Sequence, residues 1–123
     1  MRSLFLQPGD LDGLEELNVE SIAIFCWADE RPLAGVAGFL DWRLSGAISR
    51  TLLAEQFVGS LNESMLMPVS SRLSVRRIFV FGLGKSTQFS PDLAKQACDH
   101  AIRVLEGAGV ERICLAIPTQ RGK

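Results

Sequence analysis

A surplus of charge of either sign is missing from this sequence. Its 13 lysines and arginines nearly balance 14 aspartates and glutamates, for a net charge of -1. A nucleic-acid-binding domain usually presents a basic face, so nucleic acid is not an expected partner. Histidine is almost absent. The single His100 has no companions at metal-ligand spacing and is expected as a solvated residue on a helix surface. Neither a metal nor a cofactor is therefore expected. Cysteine is scarce too, and Cys26, Cys98 and Cys114 are far apart with no CxxC pair. All three lie in apolar settings, two on strand-like runs and one on a helix face. They read as buried thiols of a reducing compartment, since free cysteine packs like a small hydrophobe.

Long apolar runs are lacking as well. The stretch Ser3-Leu4-Phe5-Leu6 is broken by Pro8-Gly9, too soon for a secretory signal core. No run approaches the length of a membrane span. The expectation is a cytoplasmic protein without membrane contact. Its 123 residues, 47% hydrophobic and 22% charged, suit a single globular domain over residues 1–123.

The chain has a readable order of elements. Ser3 to Gln7 is a short edge strand, and Leu11 to Asn18 is a helical turn or loop carrying several of the acids Asp10, Asp12, Glu15, Glu16 and Glu20, a solvated face. Ser21 to Trp27 is a continuous apolar run rich in β-branched and aromatic residues, hence a buried strand. From Leu33 to Phe57 apolar residues recur every three or four positions (Leu33, Val36, Ala37, Leu40, Leu44, Ala47, Ile48, Leu52), which predicts one long one-sided helix. Asp41, Arg43, Arg50 and Glu55 fall on its polar face. Gly35, Gly38 and Gly46 lower its helicity and imply close approach to a sheet. Ser64 to Val69 is a second strand, held to an edge or a strand end by Pro68. Arg77 to Gly84 is the clearest strand. Ser90-Pro91-Asp92 combines a cap, a proline at the first helical position and an acid in the first turn, so a helix starts there and runs to about Glu106. Glu111 to Pro118 is the last strand. Inner strands apolar on both faces between one-sided helices predict an α/β fold whose sheet is covered by helices.

One motif carries chemical interest. Gly82-Leu83-Gly84-Lys85-Ser86-Thr87 follows a strand and ends like a phosphate-binding P-loop. A P-loop requires a further glycine where Phe79 stands, and a helix that begins at the lysine so that its N–H groups face phosphate. Here the helix signals come later, at Ser90. Nucleotide hydrolysis is therefore excluded, and the glycines read as a tight strand exit. A glycine-rich loop at the carboxyl end of a strand can still cradle a phosphate. This leaves Gly82, Leu83, Gly84 and Lys85 as the candidate ligand-binding residues. Arg72, Arg76 and Arg77 form a small basic surface cluster, Trp27 reads as a core or interface anchor, and Trp42 lies off the apolar helix stripe, where it can meet a partner.

The run Arg77-Ile78-Phe79-Val80-Phe81-Gly82-Leu83-Gly84-Lys85, followed by Phe89-Ser90-Pro91 and an alanine-, cysteine- and leucine-bearing helix, resembles the N-terminal domain of leucyl aminopeptidases. Leu33-Ala34-Gly35 and Met65-Leu66-Met67-Pro68 match that domain's pattern upstream. The resemblance covers Leu14 to Pro118 and implies a three-layer, macro-domain-like α/β fold with a mixed, largely parallel sheet flanked by helices. It also implies that the peptidase chemistry of the family, a two-metal site of lysine, aspartates and glutamate, resides in a separate catalytic domain whose motifs this sequence lacks. The function implied is a non-catalytic interaction or regulatory module that self-associates or binds a protein partner. Macro domains proper bind ADP-ribose at strand ends, which gives the alternative: a reader of ADP-ribose or a similar nucleotide through the Gly82–Lys85 loop.

Overall fold

A computed structural model describes residues 2–6, 21–30, 33, 35–68 and 76–116. The elements are β1 (Arg2–Leu6), β2 (Ser21–Cys26), α1 (Gly35–Arg43), α2 (Ala47–Leu53), β3 (Ser64–Pro68), β4 (Arg77–Gly82), α3 (Pro91–Gly107) and β5 (Arg112–Ala116). The strands form one five-stranded sheet in the order β1-β5-β2-β4-β3. β1, β5, β2 and β4 run parallel, and β3 joins β4 antiparallel at one edge.

Side chains of a strand alternate between faces, and three central strands divide their apolar residues accordingly. Ile22, Ile24 and Cys26 of β2, Ile78 and Val80 of β4, and Cys114 and Ala116 of β5 pack against Ala37 and Leu40 of α1 and Ile48 and Leu52 of α2. Ala23, Phe79, Phe81, Ile113 and Leu115 turn to the other face and meet Ala101 and Leu105 of α3. The sheet is thus covered on both sides, as the apolar runs predicted, in the mixed, largely parallel three-layer arrangement that the resemblance implied. α3 starts where its signals stand: the Ser90 hydroxyl accepts the Leu93 N–H at 3.1 Å, with Pro91 at the first helical position.

The long helix expected over 33–57 is instead two helices. Ser45 and Gly46 adopt left-handed backbone, with φ of 58° and 83°, and no α-helix passes through such residues. The apolar stripe survives the break because α1 and α2 lie on the same face of the sheet. Gly46 is the N-cap of α2 and has no side chain to cap with. Asp41, in the last part of α1, does that work: its carboxylate accepts the N–H of Ile48 at 2.9 Å and of Ser49 at 3.0 Å, and the Ser49 hydroxyl as well. Asp41 is half-buried rather than one more charge on a wet face. Gly38 is required by its own chain and not by the sheet, since a Cβ there would lie 2.6 Å from the Leu33 carbonyl oxygen.

The N-terminal acids, the segment 11–18, and Arg72 lie outside the described residues. No helix among the described residues is long and apolar enough to cross a membrane.

Candidate functional site

In an open α/β sheet, ligands enter between adjacent parallel strands whose chains leave toward opposite faces. β2 leads to α1 on one face and β4 leads to α3 on the other, so that place lies between the carboxyl ends of β2 and β4. The loops there are Trp27 to Glu30 and Leu83 to Phe89. The Gly82–Lys85 residues are at this end of the sheet, as the motif implied.

Three backbone donors of the loop, those of Gly82, Leu83 and Gly84, are engaged within the protein. The N–H of Gly82 donates to the Glu63 carbonyl at 2.8 Å, that of Leu83 to Cys26 at 3.0 Å, and that of Gly84 to Gly59 at 2.9 Å. The Gly84 carbonyl in turn accepts the Ala28 N–H at 2.8 Å. A phosphate cradle needs such N–H groups turned toward a shared space. Lys85 is exposed, and its charge is what the motif leaves open to a ligand. One residue on, the Ser86 N–H and hydroxyl both donate to Asp29, at 2.9 and 2.7 Å. This pair joins the two loops across the crevice with a carboxylate where an anion would sit.

The two glycines serve different needs. A Cβ on Gly82 would lie 1.9 Å from the Ser60 carbonyl oxygen, so the strand exit and the α2–β3 loop touch backbone to backbone. Gly84 has ordinary room around it but a φ of +79°, which favours glycine.

Glu63, which the sequence reading passed over, organises the neighbouring loop. Its Oε1 accepts three successive N–H groups, from Val58 at 3.1 Å, Gly59 at 2.9 Å and Ser60 at 3.0 Å. Three converging N–H groups make an anion-binding nest, and here the anion is the chain's own carboxylate. The spacing Ser60-x-x-Glu63 is that of a capping box and was the available signal. On the α3 side the same end of the sheet is filled by Trp27, Leu83 and Ala97, with Phe25, Phe89 and Leu93 around them. Trp27 meets Phe89 edge-on at 5.8 Å.

The other singled-out residues do not join this place. His100 is half-buried, edge-on to Phe81 at 6.2 Å, and its Nε2 is buried, so it is a packing residue rather than a solvated one. Arg77 starts β4 with its guanidinium 5.9 Å from the Phe79 ring, and Arg76 beside it is exposed. Cys26 and Cys114 are buried and Cys98 is half-buried. The Cys98 thiol is pushed up from its ordinary pKa, first by burial and second by the Asp99 carboxylate, the reverse of what a nucleophilic thiol needs. Among the described residues no group of three or more His, Cys, Asp or Glu side chains is placed to hold a metal ion. Trp42 stands 73% exposed, where its position off the apolar stripe put it.

Residues 22–123 match the cytosol aminopeptidase family, N-terminal domain. A probable cytosol aminopeptidase of Geobacter sulfurreducens is 31% identical over 83 residues, which is 68% of this chain and 17% of that protein. One from Acidobacterium capsulatum is 26% identical over 120 residues, 89% of this chain and 24% of the relative. The chain thus spans less than a quarter of the length of these curated relatives. A tomato leucine aminopeptidase mutant superposes with a TM-score of 0.67 at 18% identity, over 99% of this chain and 24% of that one. The macrodomain of Mycobacterium tuberculosis DarG superposes with a TM-score of 0.65 at 11% identity, over 89% of this chain and 76% of that one. At these identities the likeness is one of fold, and the fold is macro-domain-like.

Proposed function

The chain belongs to the cytosol aminopeptidase family through its N-terminal domain, and from that premise we propose that it is a non-catalytic module acting by association, with a second copy or another protein. The observation that carries this reading is the state of the carboxyl end of the sheet. Where a ligand would enter, the loop N–H groups bond to Glu63, Cys26 and Gly59, and the Asp29 and Glu63 carboxylates take up donors that an anion would use. By contrast, Trp42, Leu53, Val58, Leu61 and Leu66 leave large apolar surface exposed, as association requires. The two-metal peptidase chemistry belongs to the family's catalytic domain, and among the described residues no group of three or more His, Cys, Asp or Glu side chains is placed to hold a metal ion.

A second reading rests on the macrodomain likeness: binding of ADP-ribose or a similar nucleotide near Gly82, Leu83, Gly84 and Lys85. Light scattering with and without ADP-ribose separates the two. A dimer or larger assembly indifferent to the nucleotide is expected. A monomer whose melting temperature rises with ADP-ribose, and no longer does so in a Lys85→Ala variant, overturns the association reading.

A further inference from the structure

β3 ends the sheet, and among the described residues no strand lies beyond it. Which of its backbone groups point outward follows from one bond. The Gly82 N–H donates to the Glu63 carbonyl, and these residues stand opposite each other when the register Ser64↔Phe81 is extended by one. In an antiparallel ladder, bonding toward the partner strand alternates residue by residue. Met65 and Met67 therefore bond toward β4, while Ser64, Leu66 and Pro68 turn their backbone groups to the open edge. Pro68, without an N–H, sits where a proline does no harm to the sheet.

We propose that this edge pairs with the same edge of a second copy, antiparallel, about a two-fold axis at Leu66. The inference rests on the association reading and names its surface. In that register the two Leu66 residues exchange N–H and C=O bonds, and each Ser64 N–H donates to the Pro68 carbonyl of the other copy. Reversing the strand places every open donor opposite an acceptor, and the missing proline N–H leaves only the Ser64 carbonyl, at the end of the ladder where water reaches it. Two further observations favour a second copy. Ser64–Pro68 carries no charged residue, and charges are the usual device by which edge strands refuse each other. Of the five exposed large hydrophobic residues among the described ones, Leu53, Val58, Leu61 and Leu66 fall in the one segment that leads into and forms this edge. The two-fold brings the two half-exposed Leu66 side chains side by side across the seam, a stabilising cross-strand pair. The same patch then serves both copies, as a two-fold interface demands.

Directly opposed residues of this type have Cα atoms about 5.5 Å apart, within disulfide reach. Under mild oxidation a Leu66→Cys variant is expected to form a covalent dimer on a non-reducing gel. Wild type, with Cys98 as its most accessible thiol, and Ser64→Cys, whose two copies stand far apart in this register, are expected not to. Light scattering on Leu66→Lys is expected to give monomer at concentrations where wild type is dimeric, with a melting temperature that no longer depends on concentration and equals that of wild type diluted to monomer. A wild-type dimer that survives Leu66→Lys, with no Leu66→Cys crosslink, overturns the proposed edge and leaves association standing through another surface such as Trp42. A wild type that is monomeric at every concentration overturns both.

Discussion

The carboxyl end of the sheet and its β3 edge treat main-chain polar groups in opposite ways. At the carboxyl end the N–H groups of Gly82, Leu83, Gly84, Val58, Gly59 and Ser60 all have partners inside the protein, at 2.8 to 3.1 Å. At the edge, Ser64 and Leu66 present theirs to the outside. The first region sits where α/β folds commonly bind small molecules, and these six donors are spent within the chain. The second sits where folds commonly protect themselves and lacks charge. Among the described residues no strand pairs with that edge, so its N–H groups are the ones placed to meet a strand from another chain.

That contrast can be broken at several points. The largest effect is expected at Gly82. Placing a methyl 1.9 Å from the Ser60 carbonyl oxygen forces two backbones apart, and Gly82→Ala should destabilise by about 3 kcal/mol or more in urea unfolding, at the upper end of overpacking effects. An unchanged midpoint would mean that the two loops are not in contact. Glu63→Ala comes next. It strands three N–H groups bound to a charged acceptor, where hydrogen bonds are worth about 1.5–3 kcal/mol, so a loss near 2 kcal/mol is expected. If the carboxyl end is a plugged anion nest, millimolar phosphate should restore part of that stability in the variant and not in wild type. Gly84→Ala is milder: neighbours are at ordinary contact distance, and the left-handed φ costs an alanine about 1–2 kcal/mol. A larger effect there than at Gly82 would reverse the assignment of the two glycines. The smallest effect concerns Cys98, on α3. With its pKa raised by burial and by Asp99, less thiolate is present at pH 8 than in an unfolded chain. Iodoacetamide should label it more slowly in the native protein than in urea, and Asp99→Asn should narrow the gap.

Much of this architecture was legible in the sequence because its signals are local. Ser90-Pro91-Asp92 marks a helix start by chemistry that acts within one turn, and the run Ile78 to Phe81 marks a strand covered on both sides. The single helix expected over 33–57 failed for a definite reason. Apolar spacing records which face is buried, and α1 and α2 bury the same face, so the stripe runs unbroken across a turn. Gly46 was the clue, read there as a packing glycine when it was a left-handed one. The candidate site was half legible. That Gly82 to Lys85 lie together after a strand is trivial from the order of residues. That their N–H groups reach Cys26, Gly59 and Glu63 depends on pairings between distant segments, which no local pattern encodes. Family resemblance supplied what periodicity could not, the macro-domain-like layout with a mixed, largely parallel sheet, while Pro68 held β3 to an edge and nothing local showed that it is the reversed strand.

The Glu63 carboxylate in its nest has a kinetic and competitive meaning beyond stability. A group tied to its own binding site by a three-residue turn acts as an inhibitor that dilution never removes. Its effective concentration is set by the tether, in the millimolar range or above for short linkers. A free anion of similar intrinsic affinity present at micromolar levels loses that competition. The three N–H groups are therefore reserved for the chain's own carboxylate, and position 63 is where that reservation is held.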